Sequence, residues 1–200
     1  MGGTFDPIHL GHLILGEHTY GQLGLDSVCF MPSGRPPHKR NREGCASDIQ
    51  RAEMVRLAVQ GNPHFTVSMM EMEEEGYTYT FHTLERLASE NPDTHYYFII
   101  GADSLRDFPT WREPQRICRV CTLVCASRGE TADAELDRLI DATRQRYEAD
   151  IVRLDTPLID ISSSELRKRA ASGQSIRYYV PDAVREYISS QQIYRHFSVD

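Results

Sequence analysis

Two hydrophobic rhythms alternate along the chain. Short apolar runs at Ser27 to Met31, Phe65 to Met69, His95 to Ile100, Val120 to Ala126 and 151–154 have the length and β-branched or aromatic content of buried strands. Between them lie stretches with helical spacing. Residues 9–23 read as a helix that stops near Gly24. Ser47 or Asp48 caps a second, from about 49 to 60, with Met54, Leu57 and Ala58 on its apolar face and Gly61 as its stop. Thr80 to Glu90 is helical up to the Asn91-Pro92 break, and Thr131 to Tyr147 is a charged amphipathic helix.

After residue 161 the rhythm changes to two short capped helices, ISSSELRKRAASG and VPDAVREYISSQQIY. Strands alternating with helices predict an α/β fold with a parallel sheet covered on both faces, a doubly wound arrangement carrying a short helical C-terminal subdomain at about 161–200. No repeat, low-complexity tract or linker divides the chain, so residues 1–200 are expected to form one domain.

Composition narrows the function classes. The 200 residues are 40% hydrophobic and 26% charged, and no apolar stretch approaches a membrane span. No signal peptide is visible, which sets a cytoplasmic expectation, and five cysteines at 29, 45, 118, 121 and 125 suit reduced thiols better than a disulfide framework. A net charge of −7 argues against bulk nucleic-acid binding. The run RPPHKRNR, from Arg35 to Arg42, is a local exception. It reads either as a solvated loop or as a patch for an anionic small molecule, and charge alone leaves both open.

The first chemical signal is MGGTFDPIHLGH. Adjacent Gly2 and Gly3 let the backbone approach a ligand and present N–H groups to an anion. His9 and His12 are three residues apart at the start of the predicted helix, which puts both imidazoles on one face where free N–H groups and the helix dipole favour negative charge. A zinc site would need a third and fourth ligand, and no matching Cys/His or H-x-x-E-H pattern is present; two unconnected structural histidines fit the double glycine poorly. A phosphate site uses every residue of the stretch.

A second anion-binding helix start is Ile161 to Arg167. Ser162 and Glu165 have capping-box spacing, leaving the hydroxyls of Ser163 and Ser164 and the guanidinium of Arg167 for a polyphosphate. Gly101-Ala102-Asp103 follows an apolar strand, at the edge where parallel sheets bind ligands, so Asp103 could accept from a ribose hydroxyl or a metal-bound water. Trp111, in the turn-rich FPTWREP, suits stacking on a flat heterocycle. In CRVCTLVC, Cys121 and Cys125 fall on a predicted buried strand without a fourth ligand, so a metal site there is rejected.

Taken together, GGTFDPIHLGH (2–12), PSGRPPHK (32–39), GYTYTFHTL (76–84), GADSLRDFPTW (101–111) and ISSSELRKRAASGQSIRYYVPDAVREYI (161–188) resemble, in order, the HxGH nucleotidyltransferases and within them the nicotinate-nucleotide adenylyltransferase family. The resemblance implies a Rossmann-like fold. It also implies ATP and nicotinate mononucleotide as substrates, Mg²⁺ carried by ATP with no protein metal site, and deamido-NAD plus pyrophosphate as products of NAD biosynthesis. His9, His12, Lys39 and Arg167 would be catalytic. Gly3, Thr4, His9, His12, Gly101, Asp103, Ser162, Ser163 and Arg167 would bind ATP, and Lys39, Tyr79, Thr80, Trp111 and Arg128 the mononucleotide. His82 stands where the family usually carries an acid, and Ser164 where Thr is common.

Rival readings are a related transferase acting on nicotinamide mononucleotide or pantetheine phosphate, and a nucleotide-binding protein without catalysis. The partners expected are small molecules, not membrane or nucleic acid; an oligomer is compatible with the sequence but not legible in it. One oddity remains. The strand feeding a loop such as GGTFDP is usually central, yet no apolar run precedes Gly2, so the first strand is expected to be truncated, with some five residues belonging to a longer natural chain.

Overall fold

Strand and helix alternate from end to end in a computed structural model, which describes residues 1–34, 44–73, 76–126, 130–157, 159–195 and 197. The strands are β1 (Gly2–Gly3), β2 (Val28–Pro32), β3 (Phe65–Val67), β4 (Tyr97–Gly101), β5 (Thr122–Ala126) and β6 (Ile151–Leu154). The helices are α1 (Leu10–Leu23), α2 (Asp48–Val59), α3 (Met70–Glu73), α4 (Thr80–Glu90), α5 (Ala102–Asp107), α6 (Pro114–Val120), α7 (Glu130–Tyr147), α8 (Ser163–Ala171) and α9 (Asp182–Ser190). Every described strand pair is parallel.

The local signals act as expected at most boundaries. Ser47 and Gln50 close a reciprocal capping box at the start of α2, and Gly24 ends α1 in the left-handed conformation at φ 59°. Two expectations change. The predicted strand from Val120 begins only at Thr122, because Val120 closes α6. The turn-rich stretch after Gly101 is mostly helical, as α5, a 3₁₀ turn at Phe108–Thr110 and α6. Each is short enough that no apolar period develops, and Pro114 sits at the first turn of α6, where a missing N–H costs nothing.

The strands pair as β3-β2-β1 and β4-β5-β6. β1 lies against β4, where a Cβ added to Gly2 would stand 3.6 Å from the Phe98 ring, but no ladder joins the two among the described residues. Alternate side chains leave the strands on opposite faces. Ile99, Val124 and Leu154 enter a core with Met54, Val55, Leu166 and Val184, contributed by α2, α8 and α9. Ile100, Leu123 and Cys125 enter a second core with Leu84, Leu105, Ile117 and Ile140, from α4 to α7. Helices therefore cover both faces, which is the doubly wound arrangement. The loops after β1 and β4 both leave the carboxyl edge where the strand order reverses, the point at which such sheets bind ligands.

Candidate active site

His9 is the N-cap of α1 and His12 stands one turn along. Their rings lie close, with centroids 3.7 Å apart and planes tilted by 30°, and the His9 backbone N–H donates to His12 Nδ1 at 3.2 Å. With Nδ1 accepting, the proton of the neutral His12 ring sits on Nε2, outward from the helix start. Burial lowers the pKa of His9 to about 4, and burial followed by the nearby His9 holds His12 well below its ordinary value. Both rings are thus neutral near pH 7 and act as N–H donors without carrying charge. His9 Nδ1 is buried and has no hydrogen-bond partner among the described residues, a polar atom in want of a ligand. Gly11 belongs to this arrangement: a Cβ there would lie 3.1 Å from the His9 ring.

The loop before α1 is clamped from three directions. Buried Arg51, on α2, donates from Nη1 to Thr4 O at 2.7 Å and from Nη2 to Ser33 O at 2.8 Å, and it pairs with Asp48 at 2.8 Å. This joins the loop after β1 to the one after β2. Buried Asp6 accepts from Tyr194 Oη at 2.7 Å and from the Ala46 N–H at 3.1 Å. From α8, Ser163 Oγ donates to Pro7 O at 2.9 Å and Arg167 Nη1 to Asp6 O at 2.6 Å.

Those last two contacts give the second helix start a structural task. Ser162 caps α8 by accepting from the Glu165 N–H. The hydroxyl of Ser163 ties α8 to the first loop. Arg167 is turned inward onto Asp6, 3.8 Å from its Oδ2 and over the Phe197 ring at 4.9 Å. Its guanidinium organises the loop. Asp103, in the first turn of α5, forms an exposed ion pair with Arg106, and Gly101 caps that helix.

Across the β1 loop a cavity of about 820 Å³ opens between the two halves of the sheet. Gly3 and Thr4 line it together with Tyr79, Thr80 and Trp111. Trp111 packs against Phe108 and Phe98, at centroid distances of 5.4 and 6.2 Å. Thr83 and Glu71 join the wall, the Thr83 hydroxyl donating to Glu71 Oε1 at 2.9 Å, and so does Arg112. His82 is exposed and lies outside the lining, so the substitution there does not alter the cavity wall. The histidine pair, farther along the same loop at the start of α1, lies outside the lining. Lys39 and Arg128 lie outside the described residues. Burial pushes the thiols of Cys118 and Cys121 up to about 11 and about 12, which keeps both protonated.

Sequence reasoning missed Arg51, Asp6, Tyr194 and Arg112. Of these only Arg51 left a local trace, an Asp48–Arg51 spacing of one helical turn near the start of α2.

Paired imidazoles at a helix start, a clamped glycine loop and an aromatic cavity across it together define a nucleotidyltransferase-type site. A family model described as cytidylyltransferase-like matches residues 1–169. A probable nicotinate-nucleotide adenylyltransferase of Lachnoclostridium phytofermentans is 43% identical, covering 97% of this chain and 96% of its own. Another of that description, from Thermomicrobium roseum, is 42% identical over 98% of this chain and 90% of its own. The chain belongs to the cytidylyltransferase-like family and, within it, to the nicotinate-nucleotide adenylyltransferases. The fold is also that of the Plasmodium falciparum nicotinic acid mononucleotide adenylyltransferase complexed with NaAD, at a TM-score of 0.77 with 18% identity over 98% of this chain and 96% of that one.

Proposed function

We propose that this protein transfers the adenylyl group of ATP to nicotinate mononucleotide, releasing pyrophosphate and forming deamido-NAD. The observation that carries the reading is one short loop: Gly3 and Thr4 line the aromatic, hydroxyl-lined cavity, and the same loop runs on into the pair of neutral histidines at the start of α1. A phosphate held at His9 and His12 and a mononucleotide held at Tyr79, Thr80 and Trp111 would meet at that loop.

The reaction joins two anions. An oxygen of the mononucleotide phosphate attacks the α-phosphorus of ATP, a new P–O bond forms, and the bond to pyrophosphate breaks. A phosphate monoester has a second pKa of about 6, so the nucleophile is already largely ionised and no general base is needed. Positioning and electrostatic stabilisation carry the acceleration. On this reading the Nε2–H of His12 and the His9 ring donate to oxygens of the transferring phosphoryl group. Being neutral, they do so without exchanging a proton. Lys39 would bind phosphate, Arg128 would face the acceptor, Gly101 and Asp103 the nucleoside of ATP, and the N-terminus of α8 the triphosphate. Arg167 and Ser163 would act on ATP through the loop they hold.

Nucleotidyltransferases of this family generally use a divalent metal. Among the described residues no three of His, Cys, Asp and Glu converge to hold one, and the donors at the helix starts suit phosphate. On this reading the ion would be Mg²⁺ arriving with the phosphates of ATP.

Pyrophosphate release from ATP, measured with nicotinate mononucleotide and with its amide, tests the assignment. Turnover with the acid exceeding that with the amide is expected. A preference for the amide, or no release with either, refutes it.

A further inference from the structure

Arg112 follows Trp111 and lines the cavity with Tyr79, Thr80 and Thr83. Its guanidinium lies over the Tyr79 ring, 4.8 Å from the centroid, and Nη1 donates to Tyr79 Oη at 3.2 Å. The nearby arginines are neutralised: Arg106 pairs with Asp103 and Glu135, and Arg116 with Glu85. Among the described residues no carboxylate pairs with Arg112. Stacking on Tyr79 fixes the plane of a five-donor fork, and one bond to a phenol oxygen uses only part of it.

Among the described residues the other charged side chains that line the cavity include the carboxylates of Asp26, Glu71 and Asp93, and Glu71 accepts from Thr83 Oγ1. A lining with these carboxylates and no cation would repel an anionic ring substituent. We infer that Arg112 is the specificity-determining residue that selects the carboxylate of a pyridine mononucleotide over the carboxamide. The inference rests on the cavity being the acceptor site. A guanidinium offers parallel N–H donors to the two oxygens of a carboxylate, whereas a carboxamide presents one oxygen and an NH₂ group that meets those donors unfavourably. Held over the Tyr79 ring and next in sequence to Trp111, Arg112 reads the ring substituent rather than the phosphates.

The test is kcat/KM for nicotinate mononucleotide and for nicotinamide mononucleotide, each at saturating ATP, in the wild-type enzyme, Arg112→Met and Arg112→Lys. In Arg112→Met the value for the acid should fall about tenfold to a hundredfold, mainly through KM, while that for the amide changes by less than about twofold. Arg112→Lys should recover part of the loss, since it restores charge without the fork. Equal losses for acid and amide, or an unchanged acid-to-amide ratio in both variants, would overturn the role of Arg112 while leaving the acceptor assignment intact. A wild-type enzyme that turns over neither mononucleotide would instead overturn that assignment and this inference with it.

Discussion

Replacing Tyr194 by phenylalanine deletes one oxygen from the C-terminal turn, yet the loss should be felt at the nucleotide loop. Tyr194 is 3% exposed and Asp6 6%, so water cannot readily take the vacated place. The bond between them is 2.7 Å long and reaches across 188 positions of sequence. Burial, then the charge of Asp6 and the hydrogen bond to it, raise the Tyr194 hydroxyl well above its ordinary pKa, so it is a donor at any working pH. Without it, among the described residues Asp6 Oδ1 keeps the Ala46 N–H, at 3.1 Å, while Arg167 stands 3.8 Å from Oδ2. A hydrogen bond to a charged group contributes about 1.5–3 kcal/mol, and phenylalanine leaves almost no cavity, so a cost of about 2 kcal/mol is expected. For a chain of this size that corresponds to a fall in Tm of roughly 4–8 °C. The backbone oxygens of Asp6 and Pro7 hold Arg167 and Ser163, so the KM for ATP should rise as well. Thermal unfolding and ATP titration at saturating acceptor measure both effects, and a cycle with Asp6→Asn isolates the pair. A Tm within about 1 °C of the wild type, or strictly additive single and double variants, would refute the reasoning.

Three further outcomes follow from the same geometry. His12→Ala should lower kcat about a hundredfold by removing a donor to the transferring phosphoryl group; steady-state rates within about threefold of the wild type would contradict that role. His9 has a native pKa of about 4 against an ordinary 6.5, so below pH 6.5 the unfolded chain takes up a proton that the native state does not. Its contribution to stability is complete above pH 6.5 and is lost as pH falls towards 4, by up to about 1.4 kcal/mol per pH unit. Urea unfolding at pH 5 and pH 7 should show a shallower dependence in His9→Gln, and identical slopes would exclude the histidine as the cause. Gly34→Ala would drive a Cβ into the Glu71 carbonyl oxygen, forcing α3 away from the cavity wall at a cost of about 3 kcal/mol or more. Gly21→Ala, on α1 with nothing within 4 Å, should instead stabilise by up to about 1 kcal/mol, and calorimetry of the two variants checks the contrast.

The residues that sequence resolves well are those whose partners are close along the chain. Ser47 and Gln50 mark the start of α2, Gly24 the end of α1, and α4 begins and ends at the residues its pattern predicts. The His9–His12 pair is legible for the same reason, since a separation of three on a helix start already implies a shared face. What sequence leaves open is set by distance. β1 is two glycines without an apolar period, and α5 and α6 are too short to develop one. Tyr194 reaches Asp6, Arg51 reaches Thr4 and Arg112 reaches Tyr79 across 188, 47 and 33 positions, pairings that no local spacing encodes. Arg167 marks the boundary between the two kinds of knowledge. Its position after three serines gives it the composition of a phosphate ligand. Only the packing of α8 against the first loop turns it onto the Asp6 carbonyl, a backbone acceptor that needs a donor as it leaves water.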